Sequence, residues 1–103
     1  MSDIPPFASR YVAEGDALVD YLTEHTGQPW KRSGDSAVMT LPGVRVTVYS
    51  YGTYAHIGPV QVTLWLNRPH VAVPLLRDPA ALRTRVREEL ARALATIDTE
   101  PTP

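Results

Sequence analysis

The residues best suited to recognition are Tyr49, Tyr51 and Trp65, with Arg45 and Gln61 among them in the strand-rich middle of the chain. Aromatic rings on a flat sheet stack on bases, at about 1–3 kcal/mol per base. They also anchor protein interfaces, where Trp, Tyr and Arg carry most of the binding energy. Arg45 and Gln61 would give such a surface its polar edges. A second candidate site is Tyr54 with His56, in a stretch bounded by Gly52 and by Gly58-Pro59. Read as a loop, 52–58 could hold a small molecule, or an acid–base histidine if a partner group lay within hydrogen-bond reach.

Other chemistry finds little support. His25, His56 and His70 form neither an HxH nor an HxxxH pattern, and no acidic ligand motif accompanies them, so no metal site is expected. There is no cysteine, which excludes disulfides and thiolate chemistry. Ser50 has no GxSxG around it, and Ser33 and Ser36 read as turn residues. Gly52 and Gly58 are separated by aromatics and do not precede a helix, so they are no phosphate loop. The chain is read as non-enzymatic and without a cofactor.

The elements that must position these residues follow from hydrophobic spacing. In Ala37–Leu75, a turn at Pro42-Gly43 sets Leu41 against Val44, Met39 against Val46 and Ala37 against Val48. A second turn at Asn67–His70 sets Leu66 against Val71, Leu64 against Val73 and Val62 against Leu75. Side chains alternate with period two, so both hairpins collect their aliphatic residues on one face. The other face receives Thr40, Arg45, Thr47, Tyr49, Tyr51, Gln61, Thr63, Trp65 and Ala72. Lys31 and its neighbours, from Pro29 to Arg32, would add a short fifth strand.

Helical spacing flanks this region. Phe7, Tyr11, Leu18 and Leu22 share one face up to about Thr26, with Gly15-Asp16 as an alternative start and Gly27 and Pro29 as the stop. Asp78-Pro79 opens a last helix with the apolar stripe Leu82, Val86, Leu90, Leu94 and Ile97. On its outer face Arg85 and Glu89, and Glu88 and Arg92, fall at i, i+4. The expected fold is a single α+β domain over 1–103, with loose ends at 1–6 and 98–103. An antiparallel sheet of four or five strands is covered on one face by an N-terminal and a C-terminal helix.

Composition narrows the functional class. A net charge of −1 in 103 residues disfavours nucleic acid, whose binding draws on neutralised phosphates. No basic segment followed by an apolar run opens the chain, so neither a signal peptide nor a membrane span is expected, and a cytoplasmic location is the default. Nine Arg against a single Lys, with abundant Ala, Val and Thr, suggest a GC-rich bacterial or phage gene. The expectation is a small protein-binding module of adaptor, chaperone-like or phage-structural type. It would self-associate, as a homodimer, through the aromatic sheet face or a sheet edge. The alternatives are a single-stranded nucleic-acid binder that stacks bases on Tyr49, Tyr51 and Trp65, and a small-molecule or enzymatic site at 52–58.

Overall fold

A computed structural model describes residues 15–99. The order is α1 (Asp16–Thr26), β1 (Lys31–Ser33), β2 (Ser36–Leu41), β3 (Val44–Tyr49), β4 (Gly52–Ile57), β5 (Val60–Thr63), α2 (Pro69–Leu76) and α3 (Pro79–Thr99). The five strands form one antiparallel meander in chain order. Each neighbouring pair is joined by a two-residue turn: Ser33 pairs with Ser36, Leu41 with Val44, Tyr49 with Gly52, and Ile57 with Val60. The expected α+β layering is present, with helices packed on one face of the sheet.

The first hairpin has the register that its alternation implies: Ala37 opposite Val48, Met39 opposite Val46, Leu41 opposite Val44. Gly43, at φ +78, supplies the left-handed residue that a Pro-Gly turn needs. The second hairpin lies elsewhere. Residues 52–57, expected to be a loop, are strand β4, which pairs with β5 through Gly58-Pro59. Gly58 takes φ +60 at the first central position of that turn, a conformation that suits a tight hairpin. Thr53 and Ala55 are small and weakly apolar, so β4 carries little hydrophobic signal, yet both are buried (1% and 0% exposed).

The segment assigned to the returning strand is helix α2. Pro69, Ala72, Val73 and Leu76 are its buried residues, at i, i+3, i+4 and i+7. Val71, Val73 and Leu75 fit an alternating strand equally well, so periodicity alone did not separate the two. Pro69 at the start of the helix and a partner already in place for β5 decide for the helix. Ala72, expected on the aromatic face, is therefore a core residue, and His70 lies in α2 and not in a turn.

The core joins Leu18 and Leu22 of α1, Met39, Val46 and Val48 of the sheet, Leu76 of α2, and Leu82 and Val86 of α3. Helix α1 begins at Asp16 with Gly15 preceding it, the shorter of the two starts; Phe7 and Tyr11 lie outside the described residues. Trp30 and Arg32 point to the helix side. Trp30 is buried and donates its indole N–H to Thr26 Oγ1 at 2.8 Å, while Arg32 meets Asp16 at 3.2 Å. Asp78 caps α3, its carboxylate accepting from the Ala81 N–H at 3.1 Å. The apolar stripe of α3 is buried at Leu82 and Val86, but Leu94 is exposed.

Thr26 Oγ1 also donates to the Leu22 carbonyl at 2.6 Å and accepts from the Gln28 N–H at 3.2 Å. Thr26→Ala leaves the buried indole N–H unpaired and should destabilise the fold by about 1–3 kcal/mol in a denaturant titration. In a Trp30→Phe background the same change should cost clearly less, because no buried indole donor remains.

Candidate functional site

With every described helix on one side, alternation assigns the opposite face of the sheet without ambiguity. It carries Lys31 and Ser33 of β1, Ser36, Val38 and Thr40 of β2, Arg45, Thr47 and Tyr49 of β3, Tyr54 and His56 of β4, and Gln61 and Thr63 of β5. No described helix lies over it. The structure thus brings together two sets of residues that sequence reasoning held apart. Arg45, Tyr49 and Gln61 of the expected partner face share one surface with Tyr54 and His56 of the expected loop site.

Three tyrosines form its aromatic centre. The rings of Tyr49 and Tyr51 stack with centroids 5.1 Å apart and 19° between planes. Tyr54 meets Tyr49 edge-on at 5.9 Å and 72°. Such pairs contribute about 0.5–1.5 kcal/mol each beyond the area they bury. Gly52, opposite Tyr49, leaves the room for this: a Cβ there would stand 3.2 Å from the Tyr54 hydroxyl. Tyr51, in the β3–β4 turn, remains 64% exposed.

Beside the tyrosines lies a polar row, with Arg45 opposite His56 and His56 opposite Gln61. His56 Nε2 is 3.0 Å from Gln61 Oε1, so the ring donates to the amide oxygen. Nδ1 is buried and has no partner among the described residues. A shallow hollow of about 330 Å3 opens between Ser33, Ser36, Val38, Arg45, Thr47 and His56. Among the described residues no carboxylate stands at this ring; its hydrogen-bond partner is the Gln61 amide. Among the described residues no group of three or more His, Asp or Glu converges to hold a metal.

Trp65 belongs to a different site. It follows β5, where the chain leaves the sheet, and it takes φ +60, unusual and strained for a bulky residue. Its ring is 65% exposed and its indole N–H donates to Glu89 Oε1 at 3.3 Å. Glu89, expected on the outer face of α3, is only 5% exposed. It accepts from Arg85 Nε at 3.1 Å and from Arg92 Nη1, so Arg92 pairs with Glu89 and not with Glu88. Arg85 also donates to the Leu64 carbonyl at 3.0 Å. The carboxylate and its two arginines thus tie α3 to the residues that leave β5, and Glu89 and Arg92 line a groove of about 280 Å3 with Gln61, Thr63 and Trp65. Glu89 was missed as a buried group because its i, i+4 partner Arg85 reads as surface pairing; the i+3 arginine, Arg92, is the only further signal in the sequence.

No family model, no curated protein and no solved structure matches this chain. No helix among the described residues is long and apolar enough to cross a membrane.

Burial raises the Glu89 pKa, but the hydrogen bonds from Arg92, Arg85 and Trp65 and the charge of Arg92 outweigh it, and the carboxyl lies below the usual range. Folding therefore favours the ionised form. The resulting stability is complete above the unfolded-state value of about 4.3 and is lost as pH falls through the lower folded value. Glu89→Gln should be less stable than the wild type at pH 7, with the gap closing below about pH 4 in denaturant titrations. At Trp65, both Ala and Gly remove the indole contact, but only Gly relieves the backbone. Trp65→Gly should exceed Trp65→Ala in stability by about 1 kcal/mol.

Proposed function

We propose that this protein is a small non-enzymatic binding module that meets another protein through its open sheet face. The observation that carries the reading is the cluster of Tyr49, Tyr51 and Tyr54 on the one face that no described helix covers, beside Arg45, His56 and Gln61. Tyrosine supplies a broad, amphipathic contact surface at low conformational cost, and aromatic and arginine side chains dominate interface energies. A second copy of the chain is one occupant that such a face admits, since twofold homodimers are the commonest assemblies.

Single-stranded nucleic acid is less well supported. Trp65 leaves the set of stacking residues, and Tyr49 and Tyr51 already stack on each other, which removes ring faces that bases would use. A catalytic role for His56 would need a group other than the Gln61 amide to move a proton.

The test is a display library of random peptides panned on the chain, with Tyr49→Ser/Tyr51→Ser as the counter-target, alongside light-scattering mass over a concentration series. Binders lost on the double variant, or an oligomer that it reduces to monomer, are the expected results. A wild type that stays monomeric and yields no variant-sensitive binder would overturn the reading.

A further inference from the structure

No strand of the sheet carries an acidic residue on either face, although the chain holds eleven. Among the described residues they lie on helices and in turns: Asp16, Asp20 and Glu24 at four-residue spacing along α1, Asp35 in the β1–β2 turn, Asp78 before α3, and Glu88, Glu89 and Asp98 on α3. The open face holds two cations, Lys31 and Arg45, and neither has an ion pair among the described residues. Thr40 lies opposite Arg45 and Thr47 two residues along its strand, so that neutral hydroxyls stand beside this cation. Among the described residues, the strand positions of this face thus carry cations and no carboxylate, although the chain has a net charge of −1.

On the reading that this face binds protein, we infer that its partner is an extended, carboxylate-bearing stretch of another polypeptide. Arg45 and Lys31 pair with its acidic side chains while the tyrosine cluster packs against its apolar ones. The spacing agrees. Lys31 and Arg45 lie two strands apart, about 10 Å, and are offset by two residues, about 7 Å, so that their Cα atoms are about 12 Å apart. Acidic residues at i and i+4 of an extended segment stand about 13 Å apart on one side. Twofold stacking of the face on itself fits less well, because it would bring these cations together with no carboxylate between them. Two cations are also few for a nucleic acid, since releasing counterions at two phosphates of a single strand gives a salt slope of only about −1.4.

The probe is the most enriched peptide from the panning described above, compared by fluorescence anisotropy with its analogue in which every Asp and Glu is replaced by Asn and Gln. The acidic peptide should bind at least about tenfold more tightly. Arg45→Gln should remove most of that preference, and added salt should weaken only the acidic peptide. Face-dependent binders with no acidic preference would overturn the inference and leave the binding-module reading standing, whereas the absence of face-dependent binders defeats both. Two other outcomes would overturn it by naming another occupant. One is oligo(dT) binding more tightly than the acidic peptide at equal salt. The other is salt-sensitive self-association abolished by Arg45→Gln, which assigns the face to a second copy.

Discussion

Four consecutive two-residue turns govern this molecule, because a tight turn fixes register, and register fixes the face of every side chain. The pairs flanking the turns, Ser33 with Ser36, Leu41 with Val44, Tyr49 with Gly52 and Ile57 with Val60, leave no strand free to slip. A slip of one residue would turn Met39, Val46 and Ala55 out of the core and bury Arg45 and His56 in their place. Registered this way, the meander has one face that must be covered by apolar residues and one that is polar and aromatic. Helices α1, α2 and α3 meet the first demand with Leu18, Leu22, Leu76, Leu82 and Val86.

Two polar devices hold the helices to the sheet at its ends. Near β1, Thr26 closes the end of α1 and receives the indole of Trp30, so a buried donor is satisfied where the chain turns from helix to strand. At the other edge, Glu89 is gripped by Arg85 and Arg92, and Arg85 reaches the Leu64 carbonyl. A buried carboxylate is costly alone, and here two guanidinium groups and an indole N–H satisfy it. The indole contact to Glu89 joins Trp65, at its positive φ, to the same cluster.

Much of this was legible in the chain itself. The first hairpin follows from strict alternation on both sides of Pro42-Gly43, and α3 follows from Asp78-Pro79 and a clean apolar stripe. What failed was the second hairpin, for two connected reasons. Residues 69–76 satisfy strand and helix periods together, and β4 hides its inward face behind Thr53 and Ala55, which look unremarkable until they are found buried. Taking one segment for a strand removed the need for the other. Trp65 was misplaced in consequence, since its expected position assumed that β5 continued to Leu66.

By itself the sequence determined that this is an α+β chain with one aliphatic sheet face, a capped C-terminal helix, and an opposite face that carries Arg45 and Tyr49. Those properties rest on local periodicity and turn chemistry, which need no distant contact to be read. Tertiary structure alone decided that β5 pairs with β4, that Tyr54 and His56 join Arg45 and Tyr49, and that Trp65 departs to Glu89. Each of these depends on which of two locally acceptable conformations finds a partner across space. That choice is made by long-range burial and pairing, to which a period along the chain is blind.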